Sequence, residues 1–219
     1  MTSAAPKPPR LPAFADVDPG ETGDLAALDL DGRAEDLGFA DQDAAGVDLE
    51  DTVYTGCTFR RVRLAGAALT RAAFTDCRIA ELQAPTLEAP DSAWTNTALT
   101  GARIGSADLA GASLRATVFD GGKLDFVNLR HARLRDVELR GLVLGDLDLS
   151  GARLERVRFS DCRIDTLTVD QARMTDVDLR GAELRAISGL SGLAGATIDE
   201  FQLQDLAPAL AAQLGLRVG

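Results

Sequence analysis

Residues 127–166 divide without remainder into eight pentapeptides: VNLRH, ARLRD, VELRG, LVLGD, LDLSG, ARLER, VRFSD and CRIDT. In each, a small or medium residue comes first, a large apolar residue stands at the centre, and the other positions are mostly polar. The same register runs from Val47 to Ala186 without insertion or deletion, which gives 28 consecutive repeats. A period of five fits neither an α-helix, which repeats every 3.6 residues, nor a strand, which repeats every two.

Two inward positions followed by three outward ones suit a chain that turns a corner every five residues. Glycine often stands at the last position of a repeat, as at Gly66, Gly111 and Gly151, where it tolerates a tight backbone. Four corners close a square coil of about twenty residues, and successive coils would pair like parallel strands ~4.8 Å apart. The 28 repeats therefore predict about seven coils.

Aromatic residues support this coil length. Tyr54, Phe74 and Trp94 are spaced by twenty residues, and Phe119 and Phe159 by forty. Like side chains stack best in a narrow core. We therefore predict an aromatic ladder of Tyr54, Phe74 and Trp94 on one inner face.

The pattern A/C/V-x-L/F-x-x resembles the pentapeptide-repeat family, and the resemblance covers about two-thirds of the chain. It implies an all-β solenoid, a right-handed quadrilateral parallel β-helix, with a C-terminal helical cap. The chain looks most like the mycobacterial fluoroquinolone-resistance type, whose members imitate DNA and interact with gyrase.

Four segments follow from the position of the repeats. Residues 1–13 are proline-rich and are predicted to be a disordered tail. Residues 14–46, with ten Asp or Glu against one Arg, are predicted to form an irregular acidic N-terminal cap, in which Phe39 lies in register and can begin the coil early. Residues 47–186 form the β-helix, and 187–219 form a C-terminal cap and dimerisation segment.

The C-terminal segment has the pattern of a helix. Asp199 is a suitable N-cap and Gly215 a suitable stop, while Pro208 predicts a kink or a division into two short helices. The family resemblance implies that about residues 198–218 cap the rod and mediate a two-fold homodimer. The residues assigned to this role are Ile198, Phe201, Leu203, Leu206, Leu210 and Leu214.

The repeat is least regular between Leu82 and Ser92. In LQAPT and LEAPD the large and small inner residues have changed places, and Pro85 and Pro90 follow the centres. Proline cannot donate to a strand ladder. We predict a local bulge or a bend of the rod here; the alternative is a silent variation.

Composition limits the partners. The net charge of −11 repels nucleic acid and anionic membranes and favours basic surfaces, including those of DNA-binding proteins. No apolar run approaches the ~20 residues of a membrane helix, and no signal-peptide core is visible at the N-terminus. Three cysteines, an odd number, fit a reducing compartment. We expect a cytoplasmic protein that binds neither nucleic acid nor membrane directly.

Residues for catalysis are scarce. His131 stands at an outward position with no nucleophile beside it, and Cys57, Cys77 and Cys162 occupy inward positions without metal-ligand spacing. No phosphate-binding glycine motif is present in the sequence. We expect no enzyme activity, no cofactor and no metal.

One outer face is acidic. It surrounds the repeat centres from Leu49 to Val169 at intervals of twenty, and only Arg71 and Arg130 on it are basic. The other three faces are near balance. The predicted acidic interaction face comprises Asp48, Glu50, Asp51, Glu88, Asp91, Asp108, Asp148 and Asp170.

Two functions are compatible with this surface. The family resemblance implies a non-enzymatic DNA mimic that binds DNA gyrase or another type II topoisomerase, either inhibiting it or protecting it from quinolone-type drugs. The alternative is a gyrase-independent scaffold for some other protein, since a fold does not determine a function.

Overall fold

The computed structural model describes residues 5–14, 21–28 and 32–216. The chain winds into a right-handed, four-sided parallel β-helix that ends in a single α-helix, as predicted. It has about nine coils rather than seven. The ladder is longer because Glu21 already pairs with Leu37, and Thr197 still pairs with Asp178.

Strands are short in the first coils, longest in the middle of the rod and shorter again towards its C-terminal end. The first nine are β1 (Glu21–Thr22), β2 (Arg33–Glu35), β3 (Leu37–Ala40), β4 (Val53–Thr55), β5 (Thr58–Arg60), β6 (Ala73–Thr75), β7 (Arg78–Ala80), β8 (Gln83–Glu88) and β9 (Ala93–Thr95). The others are β10 (Ala98–Asp108), β11 (Ser113–Asn128), β12 (Arg133–Asp148), β13 (Arg153–Ser160), β14 (Cys162–Thr168), β15 (Arg173–Asp178), β16 (Ala182–Ser188) and β17 (Ala196–Thr197).

Paired residues of neighbouring coils are twenty positions apart in the sequence, which is the length of one coil. Leu114 lies opposite Leu134, and Leu134 lies opposite Leu154. Each repeat centre therefore stacks on the centre of the coil before it. This stacking places every outward side chain in a column parallel to the rod axis.

Corners use the left-handed backbone region. The last residue of a repeat has a φ of 56° at Asp51 and 58° at Arg71. The corner that follows the centres Leu64, Ala84 and Ile104 behaves differently: Gly66 has a φ of 66°, but no residue with positive φ occurs there in the next coils. Strands β10 to β12 continue through this corner.

The predicted bulge between Leu82 and Ser92 is wrong. Gln83 pairs with Arg63 on one side and with Arg103 on the other, so the ladder keeps its register. The swapped inner residues Leu82 and Ala84 are both buried, and their combined volume fills the coil. The irregularity coincides instead with the change of corner geometry.

Aromatic rings form the predicted ladder. The Tyr54 and Phe74 rings stack with centroids 5.0 Å apart, and those of Phe74 and Trp94 with centroids 4.4 Å apart. On the next inner face, Phe39 stacks on Phe59. Leu25, in a 3-10 turn (Leu25–Ala27), is buried and belongs to the same apolar core.

Helix α1 (Glu200–Gln213) closes the C-terminal end. Asp199 caps it as predicted, and Gly215 follows it with a φ of 72°. A division into two short helices at Pro208 is wrong, because proline removes only its own N–H bond and the remaining turns form one helix. A 3-10 turn (Leu190–Leu193) precedes it. Within the described ranges, no helix is long and apolar enough to cross a membrane.

The described N-terminal segments lie on the solenoid. Residues 5–14 lie against the outside of the solenoid, held by hydrogen bonds to Asp176 and Asp136. Residues 21–28 and 32–46 include β1, β2 and β3, which pair in the same ladder as the repeats. Residues 1–4, 15–20 and 29–31 of the two predicted segments lie outside the described residues.

Candidate functional site

The register brings the eight predicted acidic residues to one face of the rod. Pairing runs from Asp48 through Ala68 to Glu88 and on to Asp108, and the column continues through Asn128 to Asp148. Consecutive members are one coil apart, ~4.8 Å. Glu50, Asp51, Asp91 and Asp170 follow the centres of the same face. We call this surface the acidic face.

Arg71 neutralises the first coil of the acidic face. Its guanidinium is 2.7 Å from an Asp51 carboxylate oxygen and 3.3 Å from one of Glu50. The hydrogen bond from Arg71 holds the pKa of Asp51 below its usual value, although slight burial opposes the shift. Asp51 thus remains charged, and both acids face a cation of the same surface.

Asp148 is buried and also neutralised. Burial would raise its pKa, but hydrogen bonds from the Ser150 hydroxyl and backbone N–H, and the Arg130 guanidinium 2.6 Å away, lower it. Its carboxylate therefore holds the corner at Ser150 in place. It offers little charge to a partner.

Five acids of the face keep their charge free. Over the described part of the chain, no Lys or Arg nitrogen lies within 4.0 Å of the carboxylates of Asp48, Glu88, Asp91, Asp108 or Asp170. Asp108 accepts hydrogen bonds from the Asn128 side chain at 2.9 Å and the Ala110 N–H at 3.1 Å. Glu88, Asp91 and Asp108 lie in adjacent coils and form the densest group of free negative charge.

Elsewhere, acids and bases pair between coils. Asp41 bonds to Arg61 at 2.6 Å, and Asp120 to Arg140 at 2.8 Å, each across twenty residues. Exposed pairs of this kind stabilise by only ~0–1 kcal/mol each, but they leave little net charge on these faces. The acidic face thus differs from the other faces in two ways: it has more carboxylates and it has fewer arginines to pair with them.

The residues assigned to the C-terminal cap fall into two groups. Leu206 and Leu210 are half-buried in line with Gln202, on the side of α1 that meets the last coil, and Ile198, before the helix, is half-buried as well. Phe201, Leu203 and Leu214 are 78%, 50% and 76% exposed. The helix therefore caps the rod with one side and exposes three apolar side chains elsewhere on its surface.

Gln202 is the cap residue that sequence reasoning missed. Its side-chain amide donates to the carbonyl oxygens of Leu179 and Ala182, each at 2.6 Å, which are strand groups at the end of the solenoid. It also accepts from the Asp199 N–H, completing a capping box. The signal was present in the sequence as Asp199 followed three residues later by Gln202.

The residues considered for catalysis are dispersed. Cys57, Cys77 and Cys162 are buried, and their thiols lie within 3.3–3.5 Å of backbone carbonyl oxygens of the neighbouring coil. Burial raises the pKa of Cys77 to about 12, so this thiol stays protonated. His131 is exposed at a corner. Among the described residues, no three His, Cys, Asp or Glu side chains are placed so that they could hold a metal ion.

The geometry defines a class: a quadrilateral β-helix protein built from unbroken five-residue repeats, with one acidic face. The sequence model of the family described as pentapeptide repeats matches residues 45–79, 97–136 and 123–161, with eight copies. The chain belongs to the pentapeptide-repeat family.

Comparison with solved structures gives distant similarities. A trypsin-treated form of QnrB1, described as a plasmid-mediated fluoroquinolone resistance protein, is 22% identical over 91% of this chain and 96% of its own, with a TM-score of 0.37. Full-length QnrB1 is 17% identical over 82% of this chain and 100% of its own, with a TM-score of 0.27.

HetL, a pentapeptide repeat protein involved in heterocyst differentiation regulation from the cyanobacterium Nostoc sp., is also similar. It is 17% identical over 68% of this chain and 84% of its own, with a TM-score of 0.26. No curated protein matches this chain in sequence.

Proposed function

We propose that this protein is a non-enzymatic interaction module whose acidic face binds the basic DNA-binding surface of a type II topoisomerase, above all DNA gyrase. The observation that carries the proposal is the group of free carboxylates at Glu88, Asp91 and Asp108, in adjacent coils of the acidic face. A basic groove that accepts the phosphates of duplex DNA would attract this column by the same electrostatic field.

Charge density sets the strength of this mimicry. Duplex DNA carries one negative charge per ~1.7 Å of its axis. Eight carboxylates along the seven coils from Asp48 to Asp170, each ~4.8 Å, amount to about one per 4 Å, and three of them face arginine. The protein is a dilute mimic, so its binding should weaken steeply with salt and compete poorly with an excess of DNA.

A homodimer would lengthen the acidic surface. Phe201, Leu203 and Leu214 expose apolar area at the C-terminal end, next to the cap. Exposed apolar patches at one end of a solenoid are common interaction sites, because terminal coils must be covered. We propose that a second copy covers this patch and places two rods end to end, roughly 80 Å in length by the coil spacing.

A second candidate is a scaffold that binds some other protein. The internal pairing of Asp51 with Arg71 and of Asp148 with Arg130 favours it, since these contacts stabilise the rod and reduce its charge. Under this alternative the free carboxylates serve solubility, and any partner need not be basic.

A supercoiling assay with DNA gyrase separates the two candidates. Purified protein is added with and without a fluoroquinolone, and compared with the variant Asp48→Lys/Glu88→Lys, which reverses two exposed and unpaired acids of the face. The matched control, Glu81→Lys/Asp146→Lys, makes the same charge change at exposed acids of other faces. We expect inhibition, or protection from the drug, with the unaltered protein and the control variant only.

Loss of the effect in both variants would show that net charge matters and the acidic face does not. No effect of the unaltered, folded protein at micromolar concentration would contradict gyrase binding and leave the scaffold as the better explanation.

A further inference from the structure

The N-terminal segment, residues 5–14, runs along the outside of the rod against the direction of coil growth. The Lys7 N–H donates to Asp176 at 3.1 Å, and the Arg10 N–H donates to Asp136 at 2.9 Å. The Phe14 ring lies under the Arg78 guanidinium, with the carbon 4.8 Å from the ring centroid. We call this segment the N-terminal strap.

The spacing of these contacts matches a polyproline II helix. Asp136 and Asp176 occupy one corner column two coils apart, ~9.6 Å, and the three residues from Lys7 to Arg10 advance ~9.3 Å at ~3.1 Å per residue. Pro6, Pro8, Pro9 and Pro12 lie in or beside this stretch and favour the same conformation. The donors repeat every three residues, which is the turn of that helix.

The corner beneath the strap is buried although it is on the outside of the solenoid. The side chain of Arg156, one coil from each of the two aspartates, is only 8% exposed and forms a bidentate pair with Asp136 at 2.6 and 2.8 Å. Arg61, at a different corner, forms the same kind of pair but its side chain is 37% exposed. Cover by the strap explains this difference.

The face next to this corner has a buried apolar surface formed by Ala98 and Val118, which we call the apolar floor. Ala98 and Val118 hold the outward position just before a repeat centre, yet they are 7% and 3% exposed. On the face with the centres Leu64 to Leu184, all seven residues at the equivalent position are exposed: Arg63, Gln83, Arg103, Lys123, Val143, Arg163 and Glu183. Arg10 is fixed at Asp136 and Phe14 at Arg78, and Ala98 and Val118 occupy the two coils that follow Arg78 in the same column, so we infer that residues 11–13 cross them.

Together these groups form one continuous binding site. Two carboxylates accept consecutive N–H groups of an extended chain, an apolar floor follows, and a guanidinium stacks on an aromatic ring. We propose that this corner is a binding site for basic, proline-rich segments in the polyproline II conformation, and that the N-terminal strap is its resident ligand. The site lies away from the acidic face and is independent of topoisomerase binding.

Trypsin tests the docking in the intact chain. The bond after Arg10 is cleavable, whereas that after Lys7 is followed by Pro8 and resists, so mass spectrometry can follow the loss of residues 1–10. Asp176→Asn removes a charged acceptor, and we expect cleavage roughly tenfold faster, the factor for about one charge-assisted hydrogen bond. The control is Asp170→Asn, an exposed acid of the same coil on the acidic face.

A second pair of variants tests the floor. Val118→Glu places a charge beneath the strap and should accelerate the same cleavage, while Val143→Glu makes the identical change at a valine that is already 41% exposed and should not. Both variants keep the inward residues, so circular dichroism should report an unchanged β-helix.

Binding in trans uses a fluorescein-labelled peptide of residues 1–14. The receptor is the full chain with Lys7→Pro/Arg10→Pro/Phe14→Ser, which removes both N–H donors and the aromatic ring, so that it releases the strap and leaves the site intact. We expect saturable binding, roughly tenfold or more weaker to the unaltered chain because the tethered strap competes at high local concentration. A peptide with alanine in place of all four prolines should bind more weakly.

Equal cleavage rates in all variants would overturn the docking. Protected cleavage without any peptide binding to the released receptor would overturn the binding site, since the strap would then be held only by its covalent attachment. Neither result depends on whether gyrase binds the acidic face.

Discussion

The indole ring of Trp94 lies on the ring of Phe74 with centroids 4.4 Å apart and an angle of 23° between the planes, although twenty residues separate them. Tyr54 stacks on the other side of Phe74 at 12°. This three-ring ladder ties consecutive coils through their side chains, in addition to the backbone ladder that joins the same residues.

Phe74→Ala should therefore be strongly destabilising. The change removes a buried ring with partners above and below, and Phe→Ala in a core costs about 3–5 kcal/mol. Thermal or urea denaturation measures the loss. Phe126→Ala, at a phenylalanine that is 41% exposed, should cost far less, and an equal loss in both variants would contradict a packed ladder.

Two adjacent glycines should differ in their tolerance of alanine. A Cβ at Gly122, where φ is 110°, would lie 2.3 Å from the carbonyl oxygen of Ala102, so Gly122→Ala should cost about 3 kcal/mol through strain and clash. Gly121 has a φ of 62° with no atom within 4 Å of its added Cβ, and Gly121→Ala should cost about 1 kcal/mol. Melting temperatures of the two variants make the comparison; a reversed order would contradict the close coil contact.

Gln202→Ala should loosen the C-terminal end. The Ala182 carbonyl would lose this donor, while the Leu179 carbonyl would keep only the Ala182 N–H at 2.9 Å, and a buried unsatisfied group costs about 1–3 kcal/mol. Hydrogen exchange should rise first in β16 and β17. Gln204→Ala, an exposed residue of the same helix, is the control, and faster exchange there too would point to general helix loss.

Acid should destabilise the rod through its paired aspartates. A hydrogen bond from Arg156 lowers the pKa of Asp136 against the opposing effect of burial, and a bond from Arg180 does the same for Asp178. Because these pKa values lie below the usual 3.8 in the folded state, the stabilisation is complete above that pH and is lost as pH falls through the lowered values.

Melting temperature should thus be flat near neutral pH and fall below about pH 4. Asp178→Asn should lower it at neutral pH and reduce its dependence on acid. A variant with the same acid profile as the unaltered protein would exclude Asp178 as a contributor.

Charge at the exposed apolar patch should disrupt the proposed dimer. Phe201→Lys/Leu203→Lys changes two side chains that are 78% and 50% exposed, so the fold should be kept while self-association is lost. Sedimentation velocity compares it with the unaltered chain and with Gln204→Lys on the same helix. A monomeric unaltered protein at all accessible concentrations would refute the dimer.

Most of the fold could be predicted because the repeat is local and strict. The centres and the residues two before them, such as Leu134 and Ala132, are buried, and the twenty-residue coil was visible from Tyr54, Phe74 and Trp94. The extra coils at both ends were underestimated because β1 and β17 pair at offsets other than twenty, where the pentapeptide pattern fails.

The acidic face could be located from the register, but the sequence did not predict which of its carboxylates are unpaired. Neutralisation depends on arginine reaching one coil back, as from Arg71 to Asp51, and the spacing of twenty between opposite charges was the overlooked signal. The strap was beyond prediction, since proline-rich sequence fixes a local conformation and does not identify Asp136 and Asp176 as its partners.

The bond between Lys7 and Asp176 spans 169 residues of sequence, far more than the single coil that separates partners in the ladder. During synthesis the strap leaves the ribosome long before the coil that carries Asp176 exists. Coils can be added one at a time through contacts with their neighbours, but the strap can dock along its whole length only when they are all in place. Complete docking of the strap can therefore occur only after the whole rod has formed.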